Sequence, residues 1–237
     1  LARSLSIGSI VYRHLLKDDI VMCNRYPSMR EESFGAHRII IDPKKNVFAI
    51  PMGDTKKMNA DFDGDEIQLQ GMYNYECAAE TLALSSPSAQ LISYKDGKSI
   101  IGGAKDLSAG IYNLQNKKFD KREIIQLLKN HREDKLGSLL YNNLKNKFGD
   151  KEEYTGLELV SIMLKQSINY RNEKNNIIIE NGVFKKIHTE IVDYYSEFTP
   201  FLAHHIDNFS AINFIDQTMN LVFGVNEFSG YTIFTDW

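Results

Sequence analysis

Cysteine is scarce in this chain of 237 residues. Cys23 and Cys77 stand apart without CxxC spacing, which excludes a structural zinc site and a disulfide framework and leaves two reduced thiols of an intracellular protein. Long apolar runs are missing as well: nothing approaches the roughly eighteen consecutive apolar residues of a membrane-spanning helix, so no membrane association is expected. No internal repeat or low-complexity tract appears. A strong basic excess is also lacking, and a net charge of −3 argues against a free-standing nucleic-acid binder. The chain opens Leu1-Ala2-Arg3, without an initiator Met or an apolar leader, as expected of a piece of a longer polypeptide rather than of a secreted protein. What remains is ordinary globular composition, 25% charged and 43% hydrophobic, in a length that suits one large domain or two modest ones.

The stretch with chemical content is Asn59-Ala60-Asp61-Phe62-Asp63-Gly64-Asp65. Three carboxylates at alternate positions repel one another unless a cation joins them, and hard oxygen ligands suit Mg²⁺. On a helix Asp61 and Asp65 would share a face without Asp63; in a strand or tight loop all three converge, and Gly64 permits the left-handed backbone such a loop needs. A solvated acidic turn is the bland alternative. An EF-hand starting at Asp61 would need Gly at its sixth position and Glu at its twelfth, where Glu66 and Met72 stand, so that reading fails. A haloacid-dehalogenase-like phosphatase would need a buried apolar strand ahead of Asp61, and Asp54–Ala60 does not make one. Residues 1–60 hold ten Lys/Arg (3, 13, 17, 25, 30, 38, 44, 45, 56, 57) against six Asp/Glu (18, 19, 31, 32, 42, 54), a local +4 that suits a polyanionic substrate.

In chain order, Val11–Leu16 predicts a short helix, and Ile20–Cys23, His37–Ile41, Val47–Ile50 and Glu66–Gln70 predict strands, with a turn at Asp42–Asn46. Short strands at this spacing suggest a barrel. From Glu76 the texture turns helical, at Cys77–Leu84, Lys105–Leu114, Ile124–Leu128, Lys135–Phe148, Gly156–Leu164 and much of 188–223. Asp120…Glu123 and Thr155…Glu158 have capping-box spacing. Asn172–Asn176 predicts a polar turn, and Asn181-Gly182 between Ile177–Ile179 and Val183-Phe184 predicts a hairpin. The fold class is α+β, with residues 1–80 and 81–237 as separate regions and the boundary near 75–85.

NADFDGD, followed by Glu66, resembles the active-site motif of the largest subunit of multisubunit DNA-directed RNA polymerases. Asp19-Ile20-Val21-Met22-Cys23-Asn24-Arg25-Tyr26-Pro27-Ser28-Met29 is similar to that family's GD.V..NR.PSL segment, and Gly35-Ala36-His37-Arg38 to its GHR. Ala79-Glu80, Ser86-Pro87, Tyr154-Thr155-Gly156, Phe214-Ile215-Asp216 and Phe228-Ser229-Gly230-Tyr231 continue the pattern, which is strong over 19–110 and faint beyond about 190.

The resemblance implies a double-psi β-barrel with a projecting acidic loop in 1–80, and a helical pore and funnel region after it. It implies Asp61, Asp63 and Asp65 as the ligands of a resident Mg²⁺, with a second ion arriving with the nucleotide, in a DNA-directed nucleotidyltransferase. Arg25 and Asn59 match positions that contact the nucleotide sugar, whose 2′-hydroxyl separates RNA precursors from DNA precursors. The implied partners are the second-largest subunit and other polymerase subunits, DNA template, RNA product and ribonucleoside triphosphates. Activity is expected only in the complete assembly, in nucleus, cytoplasm or virion according to source, because the bridge helix, trigger loop and clamp fall outside the matched segment. Arg30 replaces a family His, Glu31-Glu32 adds acid, Lys105-Asp106 replaces QD and Gly71-Met72-Tyr73-Asn74 replaces a VPQS-like segment. With the Asn/Lys/Ile-rich composition, these departures suggest a divergent lineage with an AT-rich genome, such as a large DNA virus. A non-catalytic, metal-stabilised module stays open beside the polymerase and phosphatase readings.

Overall fold

Ile20-Val21-Met22-Cys23-Asn24 builds β1 (Ile20–Asn24), the middle strand of a three-stranded antiparallel sheet in the order β2-β1-β3. Val21 faces His37 on β2 (Gly35–Arg38), and Met22 faces Gln70 on β3 (Gln68–Gly71). The computed structural model describes residues 4–102, 110–111, 113–115, 117–129, 134–172, 177–186 and 194–229. They form two compact units, one of Leu1–Ile50 with Met58–Gln90, the other of Pro51–Lys57 with Leu91–Trp237.

The first unit packs Val21, Cys23 and Met58 into a small core, with Ile39, Ala60, Ile67 and Leu69 half-buried around it. Helix α2 (Tyr75–Ser85) lies against β1 and β2. It starts where the Asn74 side chain accepts the Cys77 N–H at 2.7 Å, an N-cap. Its half-buried residues Ala78, Thr81, Leu82 and Ser85 recur at the three-to-four spacing of one helix face.

Helix α1 (Met52–Met58) runs into the acidic loop, and its residues through Lys57 pack in the second unit. Gly53 is required there by space: a Cβ would come within 2.8 Å of the Ile101 side chain. Lys56 Nζ donates to the Ser99 carbonyl at 3.2 Å, and the Gly102 N–H donates to the Gly53 carbonyl at 3.4 Å. Asp54 and Lys57 form a buried ion pair at 3.4 Å.

The rest of the second unit combines β4 (Lys118–Asp120) paired with β5 (Glu153–Thr155) and the sheet β6 (Tyr170–Asn172), β7 (Ile177–Glu180), β8 (Val183–Lys186). Among the described residues its helices include α3 (Lys121–Lys129), α4 (Asp134–Phe148), α5 (Gly156–Ser161), α6 (Tyr194–His205) and α7 (Asn208–Ser229), and residues 110–111 and 113–115 are helical as well. Phe119, Ile124, Leu144, Tyr154, Phe198 and Val222 lie fully inside its core. Both capping boxes form: Asp120 Oδ1 accepts the Glu123 N–H while Glu123 Oε2 accepts the Asp120 N–H, and Thr155 and Glu158 do the same for α5.

The molecule is therefore α+β with small antiparallel sheets. The double-psi barrel is not shown: among the described residues the first unit carries this one three-stranded sheet. Several local expectations fail, among them the strand read at His37–Ile41, which ends at Arg38. Val47–Ile50 is not a strand, and Val47 and Phe48 are exposed. Val11–Leu16 is not helical; Arg13 instead reaches Asp19 through both carboxylate oxygens, which favours an irregular arm. Residues 105–109, 112, 173–176 and 188–193 of the expected helices and turn lie outside the described residues. No helix among the described residues is long and apolar enough to cross a membrane.

Candidate metal centre

The acidic loop hangs between a helix and a strand. Where α1 ends, Asn59 takes φ +48°, a left-handed conformation that Asn tolerates better than most residues, and the chain reverses. Gly64 reaches φ +117°, where a side chain would strain the backbone, and β3 begins at Gln68. The preceding helix removes the buried strand that the phosphatase reading requires ahead of Asp61.

Between those turns the loop folds onto its own carboxylates. Asp65 Oδ2 accepts the Asp61 N–H at 3.0 Å, and Asp61 Oδ1 accepts the Asp63 N–H at 3.4 Å. One oxygen each from Asp61, Asp63 and Asp65 lies within 4.8 Å of the other two. Asp61 and Asp63 are exposed and Asp65 is half-buried, so the cluster opens to solvent on one side.

Electrostatics separate the three. The hydrogen bond to Asp61, then the Asp61 charge, hold the Asp63 carboxyl above the usual carboxylate range. The Asp61 backbone N–H, then the Arg25 guanidinium, pull Asp65 below it. Arg25 Nε sits 2.8 Å from Asp65 Oδ2. Three carboxylates and one guanidinium leave a formal −2, the charge that one divalent cation balances. Octahedral Mg²⁺, with oxygens at about 2.0–2.1 Å, holds adjacent ligands about 2.9 Å apart and opposite ones about 4.2 Å apart. One carboxylate oxygen from each of three aspartates within 4.8 Å of the others is a hard, anionic donor set open to solvent, and its chemistry fits the ion.

Arg25, expected at the sugar, thus stands beside a carboxylate of the triad. Asn59 is exposed two residues before Asp61, and its visible part is in the backbone turn. Sequence reasoning missed two pairs, Arg25 with Asp65 and Asp54 with Lys57. The second had a signal in its i,i+3 spacing on a helix; the first, between residues forty positions apart, had none.

Two family models match the chain: RNA polymerase Rpb1, domain 2, over residues 1–86, and RNA polymerase Rpb1, domain 3, over residues 90–236. The DNA-directed RNA polymerase subunit Rpo1N of Halobacterium salinarum is 29% identical over 245 residues, covering 100% of this chain and 25% of that protein. Rpo1N of Methanothermobacter thermautotrophicus is 30% identical over 258 residues, covering 98% of this chain and 28% of its own length. DNA-directed RNA polymerase III subunit RPC1 of Homo sapiens is 34% identical over 130 residues, 54% of this chain and 9% of that protein. The chain spans about a quarter of the archaeal relatives it matches.

Proposed function

Since the chain belongs to the family of largest subunits of multisubunit DNA-directed RNA polymerases, we propose that its acidic loop is the metal-holding part of the polymerase active centre. The observation that carries this reading is the convergence of Asp61, Asp63 and Asp65 within 4.8 Å on a loop anchored by Arg25. Mg²⁺ held there would supply the Lewis acidity that turns an RNA 3′-hydroxyl into a nucleophile, and a second ion carried in by the nucleotide would offset triphosphate charge.

The chain's own part is positioning. Asp61 and Asp63 face solvent, where an incoming ion or polyphosphate arrives, while the half-buried Asp65 ties the loop to the turn after β1. No side chain has to act as a covalent nucleophile, because phosphoryl transfer depends mainly on alignment and charge stabilisation. Arg25 and Asn59 flank the carboxylates in the fold and sequence, where polar groups can read the 2′-hydroxyl of a ribonucleoside triphosphate. The β2-β1-β3 sheet is read as part of a double-psi barrel completed by further polypeptide. Residues 81–237 are read as pore and funnel. In this reading the second-largest subunit, the remaining subunits, DNA template and RNA product complete the centre, and this chain is inactive alone.

Template-dependent RNA extension by the complete polymerase, with this segment as parent or as Asp63→Ala, tests the reading. The substitution is expected to cut extension more than about a hundredfold while assembly and template binding persist. Unchanged extension would leave the triad as a non-catalytic, metal-stabilised loop.

A further inference from the structure

The turn after β1 is built from its own side chains. Asn24, 7% exposed, donates from Nδ2 to Ser28 Oγ at 2.9 Å, and the Ser28 hydroxyl donates to the Arg25 carbonyl at 3.2 Å. Those bonds fix the backbone from which Arg25 extends. Its Nε then meets Asp65 Oδ2, the same oxygen that accepts the Asp61 N–H. One side chain therefore links the central strand of the sheet to both ends of the acidic segment.

We propose that Arg25 is a positioning residue for the metal centre: it holds Asp65, and through Asp65 the Asp61 backbone, so that the three carboxylates stay converged before any cation binds. The inference rests on the metal-centre reading above and adds a role that sugar recognition does not require. Converged carboxylates repel one another, and a loop with Gly64 at φ +117° has little stiffness of its own to resist them. A guanidinium presents donors on two edges. With Nε engaged on Asp65, its Nη groups remain for a nucleotide sugar, which would couple substrate selection to metal holding through one residue. Lys offers a point charge and cannot reproduce that division.

Charge alone predicts the opposite of positioning. A guanidinium beside the site repels a divalent cation, so a neutral replacement would tighten metal binding if Arg25 acted only as a charge. If Arg25 holds the ligands in place, the same replacement weakens binding. The sign of the change decides.

The measurement is a Mn²⁺ titration of the complete polymerase, without nucleotide, with free Mn²⁺ followed by electron paramagnetic resonance. Asp63→Ala identifies the site by the binding it abolishes. Arg25→Gln is expected to weaken that site about tenfold or more, the scale for loss of a group that orients metal ligands, with Arg25→Lys intermediate. Mn²⁺ binding by Arg25→Gln as tight as the parent's, or tighter, overturns the inference while the metal-centre reading stands. If Asp63→Ala leaves every Mn²⁺ site intact, the metal-centre reading itself fails and takes this inference with it. Should Arg25→Gln not assemble, Arg25→Lys carries the test, and parent-like Mn²⁺ affinity in that variant overturns the inference.

Discussion

Asp19 accepts from Arg13 through both carboxylate oxygens, at 2.6 and 3.0 Å, and from the Leu16 N–H at 2.8 Å. The Arg13 hydrogen bond, followed by the Leu16 N–H, lowers its pKa to about 2 from an ordinary 3.8. A depressed folded-state value means stabilisation that is fully present above pH 3.8 and lost as pH falls through about 2. A carboxyl-carbon NMR titration is expected to place the Asp19 midpoint well below 3.8, and Arg13→Ala to move it back up. A midpoint that does not move with Arg13 would show that the bidentate pair does not form in solution. Asp63 and Asp65 apply the same logic in opposite directions: repulsion raises one and donors lower the other. The Asp63 and Asp65 carboxyls of the acidic loop therefore titrate apart.

Among the elements, α4, α5 and the β7–β8 hairpin meet at Lys147. Its ammonium donates to the carbonyls of Ser161 (2.8 Å), Leu164 (3.2 Å) and Gly182 (2.9 Å), using all three of its N–H groups. Burial pulls the Lys147 pKa down, but the three acceptors offset part of the cost of taking the charge out of water. Lys147→Met keeps most of the stem and leaves three carbonyls without this donor. It is expected to cost about 2–4 kcal/mol, read as a lower midpoint in denaturant unfolding. A change below about 0.5 kcal/mol, the size of an ordinary surface substitution, would mean that water replaces the ammonium without loss. The same contact bears on what the sequence could reveal. Gly156–Leu164 reads as one helix, yet α5 ends at Ser161, where Lys147 and the Ser161 hydroxyl take up the terminal backbone groups. The capping boxes and the Asn181-Gly182 turn were legible because their chemistry is local. Helix α1 was not, because Gly53 and Thr55 are poor helix formers and its anchors, Ser99 and Ile101, lie more than forty residues away. The candidate metal centre divides in the same way: the three aspartates are written in one heptapeptide, whereas Arg25 reaches Asp65 only once β1 has paired with β3.

At the scale of the whole molecule, the two units differ in how much core they own. The second buries Phe119, Ile124, Leu144, Tyr154, Phe198 and Val222 completely. The first rests on Val21, Cys23 and Met58, and α2 contributes no fully buried residue to it. Ile7, Ile10, Val11, Tyr12, Ile40 and Val47 meanwhile stay exposed. Burial of apolar surface is the main term opposing chain entropy, so the unit that carries the acidic loop is the less stable one. In a chain that spans about a quarter of its archaeal relatives, those exposed side chains are where further polypeptide would add burial. Hydrogen exchange of the chain alone is expected to show β1–β3 amides at least about a hundredfold less protected than those of β7 and α7, because local opening follows local burial. In the assembled polymerase the β1–β3 amides should rise to match. Equal protection in the isolated chain would mean that the first unit is stable on its small core alone. Low protection that persists after assembly would mean that partners do not cover this surface, and the order of the acidic loop would then have to come from within the unit, through Arg25 and the cation.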